Sequence, residues 1–409
     1  MSSPVISPLG AFLPDGWKLR TIGDLCSKIG SGATPKGGAA VYVETGTSFI
    51  RSQNVFDHYF SADGLARIDE RAADKLAGVA VIERDVLLNI TGDGETIARC
   101  CVAPNWVLPA RVNQHVMILR ARGDLVPEYL QKYLSQPAMR LYMLSHNSGG
   151  SRRALTKSQV AGFQISVPPV EEQRAIVDVL GALDEKIAVN ERTAKTADEL
   201  SSAIFHYAML ARPDRFAEQA LSSTAEFING RAFTKDATGT GRMVVRIAEI
   251  HSGPGGSTVY NEIEVPEKHL ARPGDVLFAW SGSLTVARWF RPEAIINQHI
   301  FKCVPKNGNP NWLVNRLVHK KIKDFRTIAA DKATTMGHIQ RKHLDEPVGV
   351  PEREELIFLD SLIGPLWDRA LLAERECLEL VTLRETLLPQ LMSGRLRVKD
   401  AEKIVEDAT

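Results

Sequence analysis

No stretch of this 409-residue sequence approaches the ~18 consecutive apolar residues that mark a membrane-spanning helix. Its opening, Met1 to Gly10, has neither the basic start nor the apolar core of a secretory signal. Cysteine is scarce: there are five (Cys26, Cys100, Cys101, Cys303 and Cys377), and no two stand at the Cys-x-x-Cys spacing of a structural zinc site. An odd, scattered set also argues against a disulfide framework. The expectation is a cytoplasmic protein with reduced thiols and no membrane partner.

Catalytic motifs are missing too. There is no GxxxxGK[ST] phosphate loop, no HExxH zinc site, no Asp/Asn-Pro-Pro-aromatic segment of amino-methyltransferases and no paired-acid nuclease motif. Gly92-Asp93-Gly94 follows a strand-like run, but the third glycine of a dinucleotide fingerprint is absent and the next residues read as another strand. Gly30 to Gly38 is a flexible basic loop, either an ordinary surface loop or one that touches phosphates. His115 and His299 occupy equivalent places without a nucleophile or acid in pattern, so both are expected as packed strand residues. The sequence reads as non-enzymatic, with no metal and no cofactor of its own.

What the sequence does have is a division of charge. The formal net charge is +1, yet residues 1–168 carry +4, residues 169–212 carry −3, residues 213–351 carry +5 and residues 352–409 carry −5. Chance surface composition is one account. The other is that the basic parts face a polyanion while the acidic parts face something else.

It also has an internal repeat. Phe49-Ile50-Arg51 parallels Val244-Val245-Arg246, Asp85-Val86-Leu87-Leu88 parallels Asp275-Val276-Leu277-Phe278, and Asn113-Gln114-His115 returns as Asn297-Gln298-His299. Val167-Pro168 returns as Val350-Pro351, and Glu171-Glu172 as Glu354-Glu355. The matches keep their order while the offset shrinks, as small loop deletions in the second copy would produce. In each copy the pattern predicts a buried strand (Asp85 to Thr91; Asp275 to Trp280), a glycine turn and a returning strand (Thr96 to Val102; Leu284 to Phe290). A helix follows (Pro127 to Leu144; Asn311 to Ile328), then an extended Val-Pro segment.

After each Val-Pro, apolar residues recur at three- and four-residue steps, from Ile176 to Ile204 and from Leu356 to Leu391. Gly364-Pro365 is expected to kink or restart the second helix. Roughly 35 helical residues span about 50 Å, too long to bury a stripe inside one small domain. The two helices are therefore expected to pack on each other. The fold class is α+β: two tandem α/β domains separated by two long antiparallel, coiled-coil-like helices, with the halves related by a pseudo-twofold axis.

The whole chain resembles the specificity subunit of type I restriction–modification systems. Leu13-Pro14-Asp15-Gly16-Trp17-Lys18-Leu19 with Ile22-Gly23-Asp24-Leu25 is similar to the start of a target recognition domain in that family. Val167-Pro168-Pro169-Val170-Glu171-Glu172-Gln173-Arg174-Ala175-Ile176-Val177 is the most specific match. Thr196-Ala197-Asp198-Glu199-Leu200 is similar to a short repeat whose copy number sets half-site spacing in some members, and Leu387 to Gly394 to the end of the second conserved helix. The second half departs at Val350-Pro351-Glu352-Arg353-Glu354-Glu355-Leu356, which lacks the Gln-Arg pair.

The resemblance implies target recognition domains at 1–168 and 213–351, conserved spacer helices at 169–212 and 352–395, and a tail at 396–409. It implies double-stranded DNA as partner, each domain reading one half of a split site. It also implies methylation subunits, two of them, on the helices, and restriction/translocase subunits in the complete complex. S-adenosylmethionine, ATP and Mg would be cofactors of those partners. Polar and basic residues flanking the matched strands are the expected DNA contacts: Lys36, Arg51, Gln53, Asn54, Arg99, Arg152, Arg153 and Lys157 in the first domain, and Lys235, Arg242, Arg246, Arg288, Lys332, Arg341 and Lys342 in the second. Arg152-Arg153 stands out, because Ser148-Gly149-Gly150-Ser151 before it reads as a loop that orders on a DNA backbone. A stand-alone DNA-binding regulator and a protein-only scaffold are the alternatives.

Overall fold

The computed structural model describes residues 13–35, 37, 41–92, 96–146, 153–330 and 339–408. They fall into two compact units: Met1–Glu185 together with Leu380–Thr409, and Lys186–Glu379.

In the first unit, β1 (Lys18–Thr21) pairs antiparallel with β12 (Gln164–Val167). A four-stranded antiparallel sheet has the order β2 (Cys26–Ser31), β10 (Val116–Ala121), β6 (Val86–Asn89), β8 (Cys100–Val102). A second has the order β4 (Ala66–Ile68), β3 (Tyr42–Ile50), β9 (Ala110–Val112), β5 (Ala80–Val81), with β3 and β9 parallel. The short pair β7 (Thr91–Gly92) and β11 (Arg153–Ala154) lies at the end of β6. All four residues of β6 are buried, as a central strand covered on both faces requires.

The expected return strand from Thr96 shrinks to β8, because residues 96–98 form a turn in which Ala98 takes φ +67°. The expected single helix after β10 is two, α3 (Pro127–Ser135) and α4 (Pro137–Ser145). Pro137 forces Gln136 out of the helical region, to ψ 136°. Three shorter helices complete this part: α1 (Ile22–Leu25), α2 (Glu70–Lys75) and α5 (Lys157–Gly162).

The second unit repeats the edge pair and both four-stranded sheets of this topology, without a counterpart of the β7–β11 pair among the described residues. β13 (Phe216–Ala220) pairs with β22 (Pro347–Pro351). One sheet runs β14 (Ala225–Asn229), β21 (Ile300–Pro305), β18 (Val276–Ala279), β19 (Thr285–Arg288). The other runs β16 (Val259–Asn261), β15 (Arg242–Val245), β20 (Ala294–Ile296), β17 (Leu270–Ala271), again with its middle pair parallel. The repeated sequence motifs fall at matching places in the two units, so the duplication includes the hydrogen-bonded framework. Helices α7 (Leu221–Thr224) and α8 (Ile247–Ser252) precede α9 (Asn311–Ala330), which buries Trp312, Leu313, Leu317 and Phe325 in the core beneath β18 and β21. Each such side chain contributes roughly 1.5–3 kcal/mol through its burial.

The long helices are α6 (Val170–Ala211) and α10 (Arg353–Met392). α10 passes Gly364-Pro365 as one helix, so the expected restart does not occur. The segment expected as a tail contains α11 (Val398–Ala408), with Ala401 and Val405 buried.

In the second unit the two helices run antiparallel: Cys377 Sγ lies 3.5 Å from Ile187 O, Asn190 Nδ2 donates to Glu376 Oε2 at 2.9 Å, and Arg212 pairs with Glu355 at 3.0 Å. Ala194, Ala197, Ala370 and Ala373 form the seam between them, small enough to allow close approach. Arg288 binds both helices from β19, its guanidinium reaching Glu374 at 2.8 and 3.0 Å and Asp198 at 3.1 and 3.2 Å. In the first unit Asp184 of α6 plays the matching part, accepting from Lys132 of α3 and from Arg384 of α10 (2.8 Å). Burial alone would raise the Asp184 pKa, but the two cations outweigh it and hold the carboxyl below its usual range.

The Glu-Glu-Gln segment fastens α6 to its domain. Trp17 Nε1 donates to Glu172 Oε2 at 3.1 Å. Gln173, fully buried, accepts from Val126 N at 2.8 Å and donates to Asp124 O and Pro168 O at 3.0 Å each.

Candidate nucleic-acid interface

In each unit several strand ends meet at one polar turn. In the first, Asn113-Gln114-His115 connects β9 to β10. Gly32, just past β2, donates to Asn113 O at 3.0 Å, and Asn113 N donates to Ile50 O, at the end of β3, at 3.1 Å. Ile90, just past β6, donates to His115 O at 2.9 Å, and Leu155 donates to Ile90 O at 2.8 Å.

The second unit builds the same junction. Asn297 N donates to Val245 O at 3.1 Å, Trp280 N to His299 O at 3.0 Å and Ile339 N to Trp280 O at 3.2 Å. Gly230 takes the place of Gly32, and Gln298 N donates to Arg231 O at 2.9 Å. The glycines are required by proximity. A Cβ on Gly32 would sit 1.8 Å from Val112 O, and one on Gly230 would sit 2.1 Å from Asn297 O.

Within the turn, the asparagines are buried and serve the backbone: Asn113 Oδ1 accepts from His115 N (2.9 Å) and Asn297 Oδ1 from Phe233 N (3.2 Å). The glutamines are exposed in both copies. His115 and His299 are therefore not packed strand residues. Both lie in the turn, His299 at φ +71° and exposed, with its ring 5.1 Å from that of Trp280. The repeated motif was visible in the sequence. Its placement in a turn was not, because the flanking β-branched residues continue the strand pattern.

Comparison with known proteins places this arrangement. A family model described as the type I restriction modification DNA specificity domain matches residues 14–197. The MjaIX specificity subunit of a type I restriction enzyme from Methanocaldococcus jannaschii is 20% identical, over 95% of both chains. The HindI specificity subunit from Haemophilus influenzae is 27% identical over 97 residues, 23% of this chain and 21% of the relative. The crystal structure of a type I restriction–modification S subunit from M. genitalium shares the fold, with a TM-score of 0.59 at 15% identity, over 94% of this chain and 99% of that one.

Residues 14–197 thus match the type I DNA specificity domain, and the chain along 95% of its length is similar to a type I specificity subunit.

Of the contacts expected for such a subunit, Lys36, Arg152 and Lys332 lie outside the described residues, as does the Arg153 side chain. Two expectations are overturned by burial. Asn54 is fully buried and holds its own loop, donating to Ser61 O (3.1 Å) and Asp63 O (3.2 Å) while capping Arg51 N. Arg288 is buried between Asp198 and Glu374 and serves the helices.

Arg51 and Arg246 are equivalent loop staples, binding Gly64 O at 2.6 Å and Ser257 O at 2.7 Å. Arg246 is further committed to buried Glu249, and Arg242 to Glu293 at 3.0 Å. Arg99 is half-buried over the Phe56 ring. Gln53, Lys157, Lys235, Arg341 and Lys342 are exposed.

Three of these follow the junction in sequence: Lys157 two residues after Leu155, and Arg341 and Lys342 just after Ile339. Exposed Arg231, which the sequence reading missed, joins them through its bridge to Asn297. A cavity of about 840 Å³ elsewhere in the second unit is lined by the Arg288 network and by Arg316, His319 and Trp367. Its charges are largely paired among themselves. Among the described residues, no helix is long and apolar enough to cross a membrane, and no three His, Cys, Asp or Glu side chains are grouped to hold a metal ion.

Proposed function

We propose that this chain is the DNA-recognition subunit of a type I restriction–modification complex, each unit reading one half of a bipartite duplex site through its turn junction. The observation that carries this reading is the duplication of one framework of paired strands, with a Gln-His turn whose glutamine is exposed in both copies. The basic charge of the two globular segments suits phosphate contact, which supplies affinity without sequence information. The long helices set the gap between half-sites.

The helices also offer a surface to partners. Leu200, Tyr207 and Leu210 on α6, and Ile357, Phe358 and Leu362 on α10, are exposed apolar side chains. They fit methylation subunits, two per complex. Adenine methylation and ATP-dependent cleavage, with S-adenosylmethionine, ATP and Mg, would belong to those methylation subunits and to restriction/translocase subunits. Genome-wide mapping of methylated adenines tests the scheme. Exchanging residues 1–168 for another target domain changes one half of the methylated site and leaves the other half intact. A change in both halves, or in neither, would refute it.

A further inference from the structure

Each turn junction separates its residues into two jobs. The asparagine side chain is buried and holds the backbone, whereas the glutamine side chain is exposed in both copies and bonds no backbone group among the described residues. A residue kept twice on matching scaffolds, with no packing duty, needs another reason to be there.

In the first unit the amide of Gln114 is held from two sides. Thr34 Oγ1 donates to its Oε1, and its Nε2 lies 3.1 Å from His115 Nε2. With that nitrogen accepting, His115 carries its proton on Nδ1 and donates to Thr91 Oγ1. The string Thr34–Gln114–His115–Thr91 uses one lone pair of the amide oxygen and one of its N–H groups. Among the described residues one of each remains unused on this exposed side chain, and that pair is what a two-point contact to adenine N6 and N7 requires.

The second unit keeps the glutamine and changes its surroundings. Among the described residues the Gln298 side chain makes no hydrogen bond. Trp280 stands where the first unit has Ile90, and Ser281 where it has Thr91. Trp280 Nε1 is committed to Asn229 Oδ1 at 2.8 Å, which fixes the indole beside His299.

We infer that Gln114 and Gln298 are specificity-determining residues, each reading the major-groove edge of one adenine, one in each half-site. The inference rests on the DNA-recognition reading above and adds the residue and the base. Thr34, His115 and Thr91 act as positioning residues for Gln114, and the Trp280–His299 pair gives the second domain a different neighbourhood around the same reader.

The test uses the full-length chain assembled with its methylation subunits, selecting from a pool of randomised duplexes and sequencing the bound fraction. Gln114→Ala is expected to lose preference at a single A·T position in one half-site, by roughly 5- to 100-fold, with the other half-site unchanged. Gln298→Ala does the same in the opposite half-site. Gln114→Glu is expected to shift that position from adenine toward cytosine, whose N4 amine donates to a carboxylate. Wild-type preferences at every position in both alanine variants would overturn the inference and leave the proposed function standing. So would a uniform loss of affinity without altered preference. Selection of no sequence at all by the wild-type assembly would instead overturn the proposed function.

Discussion

Replacing Gln173 by Leu removes three hydrogen bonds at a fully buried position while keeping most of the side-chain volume. The Val126 N–H loses its acceptor, and the Asp124 and Pro168 carbonyls each lose a donor. A stranded buried polar group costs about 1–3 kcal/mol, and a carbonyl whose other lone pair is served costs less, so the total is about 4 kcal/mol. Against a domain stability of about 5–15 kcal/mol, that is a large fraction. The assay is hydrogen exchange by mass spectrometry on peptides covering residues 124–135 and 164–180. About 4 kcal/mol corresponds to roughly a thousandfold faster exchange where opening is global. Gln173→Glu separates the bonds: it retains the acceptor for Val126 but turns negative oxygen toward two carbonyls. Its folded-state pKa is then raised, so its deficit shrinks as pH falls toward 5. Protection within fivefold of wild type in Gln173→Leu would refute the argument that this amide fastens α6 to its domain.

His58 is pushed down to about 4 from 6.5, chiefly by burial and then by nearby Lys132 and Arg384, and Gln131 Nε2 donates to its Nδ1 at 3.3 Å. The unfolded chain therefore takes up the proton first. The associated stability is complete above pH 6.5 and is lost as pH falls toward 4, amounting to about 2 kcal/mol between pH 7.5 and 5. His58→Asn, which tolerates the residue's φ of +73°, flattens that slope in urea midpoints measured across pH, and parallel curves would count against it. Arg288→Met leaves Glu374 without its cation and Asp198 with only Arg316, lowering stability by about 3–5 kcal/mol in urea unfolding. An unchanged midpoint would mean that the network is dispensable. Gly230→Ala forces the Asn297 carbonyl aside, costing about 1–3 kcal/mol and blurring only the half-site read by the second domain in methylation mapping.

The repeat and the long helices were legible because they are local, periodic features: order of motifs, three- and four-residue spacing, Val-Pro at each boundary. The break at Pro137 was not expected, although the residue before a proline avoids helical geometry and could have given it away. The fate of individual arginines was less accessible. Arg288 looks like a free cation until Asp198 and Glu374 arrive from 90 and 86 residues away. Arg246 and Asn54 were different, because each serves a turn only three residues long, and that capping pattern could have been read directly. The junction itself was hidden: its glycines are demanded by carbonyls brought in from distant strands.

The division of the chain has a consequence for synthesis. The second unit is one continuous segment, so every contact it needs is available before the last turns of α10 are translated. The first unit is not. Its opening residues wait for the closing ones: Gly394 lies so close to Pro14 that an added Cβ would come within 2.3 Å of the proline ring. Along this sequence the first unit is therefore completed only after the second. A circular permutant that begins at the α10 end of the chain and runs on into β1 would supply both pieces early, and would be expected to shorten that interval.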